Sequence, residues 1–104
     1  MVVSDLFTAL ANPVRRRILE LLLQGPSTVN ALVEAFDLQR PSVSEHLQVL
    51  RNAKLVRDER RGRERYYHVE PMRLAELQEW LRPFERYWRE RMQALDDTLR
   101  EGNT

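Results

Sequence analysis

The sequence predicts a mainly α domain of about five helices that carries a single two-stranded β-hairpin. Apolar residues recur at intervals of three and four along most of the chain, the spacing of buried helical stripes. That pattern is interrupted between Leu55 and Val69, where two stretches of strand character flank a glycine. Charge marks the same place. Arg51 to Arg65 carries seven basic and three acidic residues, whereas His68 to Thr104 carries six basic and eight acidic, so the formal net charge of +1 hides a positive segment centred on the hairpin.

Each element has a local reason. Ser4 can cap a short first helix whose Leu6, Phe7 and Leu10 are apolar, and Asn12-Pro13 then supplies an N-cap with proline at the first helical position. Val14, Ile18, Leu21 and Leu22 form the inward stripe of this second helix, and Gly25-Pro26 stops it. Ser27 or Thr28 caps a third helix with Val29, Leu32, Val33 and Phe36 inward, and Asp37-Leu38-Gln39 turns the chain into a fourth, beginning near Pro41. Two short helices joined by a tight polar turn make a helix-turn-helix. Leu55 to Arg60 and Arg63 to Val69 read as strands, with Arg61-Gly62 as the turn because glycine accepts positive φ. Glu70-Pro71 opens a long helical segment in which Leu74, Leu77, Leu81, Phe84, Trp88, Met92, Leu95 and Leu99 form a near-heptad seam. The expected layout is a single winged helix-turn-helix domain over 1–104, with the helix-turn-helix at 27–53, the wing at 55–69 and a C-terminal dimerisation helix or helices at 71–101.

Composition excludes several classes of function. At 104 residues the chain has room for one core, and its 42% hydrophobic content carries no sign of disorder. No apolar run approaches the roughly 20 residues needed to span a bilayer, and Met1 to Asp5 lacks the basic start of a secretory signal, so a cytoplasmic protein with no membrane partner is expected. With no cysteine and two histidines, neither a thiolate site nor most imidazole metal sites can form, and no metal or other cofactor is expected. An enzyme would need a nucleophile with its base, paired carboxylates or a phosphate loop; the three glycines, Gly25, Gly62 and Gly102, are scattered. No catalytic residue is assigned.

The fourth helix carries the functional signal. Advancing 100° per residue, Val43, His46, Leu47 and Leu50 fall on one side, and Pro41, Ser44, Glu45 and Gln48 on the other. A merely solvated face is usually filled with lysine and glutamate, whereas short hydroxyl, amide and carboxylate groups suit close approach to the major groove of double-stranded DNA. Arg40 can bond a phosphate or guanine, Ser42, Ser44 and Gln48 can reach bases or phosphates, and Glu45 can accept from a cytosine amino group. His46 lies toward the apolar side, where a half-buried structural role competes with a base contact. Arg60, Arg61, Arg63 and Arg65 surround the wing turn and suit phosphate or minor-groove binding, and His68 reads as structural. Of Arg15, Arg16 and Arg17 at most one is expected at DNA, the others pairing with Glu20 or with acids of the last helix. The terminal seam exceeds what a core of this size can cover, so part of it should face a second subunit. Against this, Pro83 is expected to break or kink the helix, and Trp80, Tyr87 and Trp88 could border a pocket for an organic ligand.

Several of these motifs occur together in a known order. Ala11-Asn12-Pro13-Val14-Arg15-Arg16-Arg17-Ile18-Leu19, Pro41-Ser42-Val43-Ser44-Glu45-His46-Leu47-Gln48-Val49-Leu50, Arg61-Gly62-Arg63 and Tyr66-Tyr67 resemble the ArsR/SmtB family of bacterial winged-helix repressors over about residues 5 to 70. The resemblance implies a homodimer joined through the first helix, with Leu6 and Phe7, and the last, with Leu77, Leu81, Phe84, Trp88, Met92, Leu95 and Leu99. It also implies an inverted-repeat operator, repression of transcription and, as in many relatives, autoregulation. The departures concern sensing. Thr28 and Asn30 stand where thiolate-sensing members have cysteines, and Met72 to Thr104 contains none of the histidines of the other common metal class. The chain is thus similar to the cysteine-free, metal-independent branch, and its effector is unknown. A winged helix used only for protein recognition is the alternative function; steep weakening of binding with salt would argue against it.

Overall fold

The computed structural model describes residues 2–102, so Met1, Asn103 and Thr104 of the expected domain lie outside the described residues. Five helices and three strands follow one another as α1 (Val2–Leu10), α2 (Pro13–Leu22), β1 (Ser27–Thr28), α3 (Val29–Phe36), α4 (Arg40–Asn52), β2 (Val56–Arg61), β3 (Glu64–Val69) and α5 (Pro71–Gly102). The winged helix-turn-helix read from the sequence is the fold observed. No helix among the described residues is long and apolar enough to cross a membrane.

Local chemistry accounts for most boundaries. Asn12 caps α2 as expected, its Oδ1 accepting from the backbone N–H of Val14 at 2.8 Å and of Arg15 at 3.2 Å, with Pro13 at the first helical position. Ser4, by contrast, falls within α1, which already runs from Val2, and not at its start. Of the two candidates before α3, Thr28 is the cap, its Oγ1 accepting from Ala31 N at 3.1 Å. Thr28 is also a strand residue: β1 pairs antiparallel with β3, Ser27 opposite Tyr67 and Thr28 opposite Tyr66, so the sheet has three strands in the order β1-β3-β2 rather than the two expected. The hairpin loop is Gly62-Arg63, one residue later than Arg61-Gly62, with Gly62 at φ +65° and Arg61 paired to Glu64.

The core gathers Leu6 and Ala9 from α1, Ile18, Leu19 and Leu22 from α2, Leu32 from α3, and Val43, Leu47 and Leu50 from α4, with Leu55 and Val56 at the start of β2. Between α4 and β2 the chain turns through Lys54 at φ +61°. Leu55 N–H donates to Leu50 O at 2.9 Å and Lys54 N–H to Arg51 O at 2.9 Å, the two bonds of a Schellman motif with lysine where glycine is usual. Its two apolar ends, Leu50 and Leu55, are fully buried. This joint fixes the direction in which β2 leaves the helix.

Helix α5 runs unbroken for 32 residues through Pro83, correcting the expected break. At 1.5 Å per residue it is roughly 48 Å long, and the molecule extends 66 × 31 × 21 Å. Its start is held by the core, through Leu74 and Leu77.

Candidate nucleic-acid interface

Burial of Val43, Leu47 and Leu50 turns the opposite side of α4 outward, and Arg40, Ser44, Glu45 and Gln48 are exposed there, with Ser42 half-buried at the edge. Ser44 and Glu45 make no hydrogen bond or ion pair among the described residues, so their polar atoms remain available. Gln48 Nε2 donates to Asn52 Oδ1 at 3.0 Å, which steadies it along the helix. Arg40 donates to the side-chain carbonyl of Asn30 and so links the first turns of α3 and α4.

The wing has two faces set by strand alternation. One face pairs Val56 with Val69, Asp58 with Tyr67 and Arg60 with Arg65; the other pairs Arg57 with His68, Glu59 with Tyr66 and Arg61 with Glu64. Arg60 and Arg65 are like charges directly opposite, an arrangement that costs stability unless countered. Asp58 counters it, accepting from Arg65 at 3.1 Å and from Arg51 of α4 at 3.2 Å. On the other face Arg61 donates to Glu59 at 2.6 Å and lies 4.9 Å over the Tyr66 ring. Arg61, by its hydrogen bond and then its charge, holds the Glu59 carboxyl below its ordinary range. Arg60 reaches back to Gly62 O at 3.3 Å, and Arg63 makes no contact of this kind among the described residues. His68 Nε2 is buried without a hydrogen bond, 3.5 Å from Glu59 Oε1. Arg40 of the helix and Arg63 and Arg65 of the wing line a common cleft of ≈ 170 Å³ with Thr28 and Asn30. The structure therefore brings one helix candidate, Arg40, together with two wing candidates, Arg63 and Arg65, while Arg60 and Arg61 lie on opposite faces of the wing.

The arginine run at the start of α2 behaves differently from expectation. Among the described residues no ion pair is seen between this run and Glu20, and its contacts are instead with α1 and α3. Arg15 donates to Ala9 O at 2.7 Å and Thr8 O at 3.1 Å, Arg16 donates to Leu10 O at 2.7 Å, and Arg17 lies 5.5 Å over the Phe36 ring. The end of α1 leaves carbonyls without intrahelical donors, and Arg15 and Arg16 donate to three of them, Thr8 O being shared with Ala11 N. Arg15 also approaches His46, its NH1 lying 3.3 Å from Nδ1. His46 is half-buried, and its pKa is lowered by that burial and then by the charge of Arg15, with Glu45 opposing.

A second surface lies away from the wing. From Phe84 onward the apolar stripe of α5 is exposed among the described residues: Phe84 is 53% exposed, Trp88 61% and Leu99 60%, with Met92 and Leu95 also exposed. Half-buried Phe7 of α1 meets Trp80 edge-on at 5.0 Å, and Trp80 lies 4.7 Å from Phe84, so the stripe begins as an aromatic ladder on the body. Leu77 and Leu81 are half-buried at its root. Leu6 lies wholly inside the protomer and offers no surface to a partner. A cleft of ≈ 430 Å³ occurs not along this aromatic seam but at the base of the wing, floored by Val56 and Met72.

Comparison with known proteins adds a second line of observation. Residues 12–58 match the family model described as "Bacterial regulatory protein, arsR family". The chain is 35% identical over 81 residues to the transcriptional repressor SdpR of Bacillus subtilis, covering 78% of this chain and 90% of that one. It is 42% identical over 80 residues to the HTH-type transcriptional regulator Rv2034 of Mycobacterium tuberculosis, covering 77% and 72% respectively. Among solved structures, the homodimeric winged helix-turn-helix DNA-binding domain Mb0332 of Mycobacterium bovis superposes with a TM-score of 0.68 at 32% identity, covering 81% of this chain and 78% of that one.

Proposed function

Because this chain belongs to the arsR family of bacterial regulatory proteins, we propose that it acts as a homodimeric transcriptional repressor that covers an inverted-repeat operator, including one at its own promoter. In this reading α4 lies in the major groove, with Ser42, Ser44, Glu45 and Gln48 toward base edges. Arg40 and the wing arginines Arg60, Arg61, Arg63 and Arg65 hold the phosphates or the minor groove, and the α5 stripe with Phe7 joins the protomers. The observation that carries it is the exposed polar face of α4, where Ser44 and Glu45 have no partner among the described residues, beside a wing whose Arg63 and Arg65 share a cleft with Arg40. Relatives named as regulators support a non-enzymatic role, and the homodimeric relative supports the pairing.

A footprint on the promoter of its own gene tests this reading. Protection of two half-sites with centres about one helical turn apart, roughly 34–36 Å, or a multiple of it, is expected, with affinity falling steeply as salt rises. Binding that ignores salt, or a footprint without two-fold symmetry, would count against it. Metal independence is part of the proposal. The chain has no cysteine, Thr28 is engaged as the cap of α3 and Asn30 is engaged by Arg40, so zinc, cadmium, copper or arsenite near free cellular levels should leave operator binding unchanged. A stoichiometric metal complex that releases DNA would refute this.

A further inference from the structure

Arg15 connects three helices. From the first turn of α2 its guanidinium donates to two carbonyls at the end of α1, Ala9 O and Thr8 O, the latter also accepting from Ala11 N, and its remaining nitrogen reaches Nδ1 of His46 on α4 at 3.3 Å. A guanidinium has N–H donors and no acceptor, so Nδ1 can only be accepting. The proton of the neutral imidazole must then sit on Nε2. That nitrogen has no partner among the described residues, and the ring, half-buried, shares its side of α4 with Ser42 one turn earlier.

We propose that Arg15 is a positioning residue for DNA reading: it fixes His46 as the Nε2–H tautomer and so sets an outward donor on α4, matched to a major-groove acceptor such as a purine N7, guanine O6 or thymine O4. This rests on the reading that α4 faces DNA. The chemistry is that of a single neutral donor whose direction is fixed from behind, and it makes reading dependent on pH. Protonation of Nδ1 removes the acceptor that Arg15 uses and puts two cations 3.3 Å apart. The charged groups acting on the ring are Arg15 from α2 and Glu45 from α4 itself. Burial and Arg15 hold the folded-state pKa below the ordinary 6.5, so the contact is fully present above about 6.5 and is lost as pH falls through the lowered value.

The test uses the full chain. Long-range 1H–15N spectra of the free protein should show one neutral tautomer, Nε2 protonated and Nδ1 bare, and Arg15→Met should give a mixture. The second measurement is the ratio of affinities for a duplex carrying the footprinted sequence and for random DNA, followed over about pH 5–8. A new positive charge strengthens phosphate attraction to both duplexes, so the ratio isolates reading. It should fall about fivefold or more as His46 protonates in the wild type. In His46→Asn, which keeps an acceptor for Arg15 but whose shorter side chain puts no N–H at the place of Nε2, it should be lowered about tenfold at the upper end of that range and be flat with pH. An Nδ1–H tautomer in the wild type, or His46→Asn matching the wild-type ratio at every pH, would overturn the proposal. Should Arg15→Met fail to fold because α1 loses the bonds from Arg15, the wild-type spectrum and His46→Asn still decide. If Ser44→Ala lowers the ratio but His46→Asn does not, only this proposal fails; if the protein shows no preference for the footprinted duplex, the reading of α4 fails with it.

Discussion

Helices α4 and α5 carry the same kind of amphipathic pattern and resolve it in opposite ways. In α4 the apolar side, Val43, Leu47 and Leu50, is buried inside the protomer, and what remains outside is polar. In α5 the polar side is laced by its own ion pairs, Glu79 with Arg82 at 3.2 Å and Asp96 with Arg100 at 3.2 Å, while the apolar stripe from Phe84 to Leu99 is exposed. An apolar stripe at helical spacing states only that something must cover it. Whether the cover comes from the same chain or from a second copy depends on how far the helix runs past its own core.

The contrast can be broken most forcefully on α5. Trp88→Asp should leave the protomer folded, dissociate the dimer in sedimentation, and lower operator affinity on the order of 10²–10⁴-fold, because two linked reading heads act as one. A variant that stays dimeric and binds normally would remove the stripe from the interface. The same truncation logic on α4 should act on the fold instead: Leu47→Ala is expected to cost about 2–5 kcal/mol in denaturant unfolding, with operator affinity falling only as the folded population falls.

Smaller effects sharpen the division of labour within the proposed DNA-facing surface. Ser44→Ala or Glu45→Ala should lose on the order of 1–3 kcal/mol on operator DNA and little on random DNA. Arg63→Ala should weaken both alike and flatten the salt slope by about one unit; Arg61→Ala should do so less cleanly, since Arg61 already engages Glu59 and Tyr66. Indistinguishable behaviour of the two classes would mean that helix and wing do not divide reading from anchoring. The smallest effect expected is at the joint between them: Lys54→Gly, which relieves a left-handed lysine, should raise stability by about 0.5–1 kcal/mol in a thermal or denaturant melt without changing operator preference.

Much of this was legible in the sequence because it is written in local chemistry. Asn12-Pro13, the polar outer face of α4 and the glycine of the wing each act within a few residues, and all appear where the sequence places them. β1 was not legible, because an N-cap residue already has extended dihedrals. Thr28, at φ −88° and ψ 164°, pairs with Tyr66 while capping α3, and nothing in a two-residue strand announces a second role. Nor were the partners of Arg15 and Arg16, since long side chains reach whichever open carbonyls the fold brings near, and here those belong to the end of the preceding helix. Proline's usual cost argued against an unbroken α5. At Pro83 the carbonyl left without a donor is that of Glu79, an exposed residue, where water can satisfy it.

The Schellman joint at Lys54 bears on the kinetics of DNA engagement. With Leu50 and Leu55 both buried and two backbone bonds closing the turn, helix and wing have no hinge between them. In the proposed complex, once either surface has touched the duplex, the other is already within reach and requires no further ordering of the chain. Residence time on DNA should therefore respond as a unit to damage in either surface, while the rate of arrival, governed by the long-range field of the wing, responds mainly to its arginines.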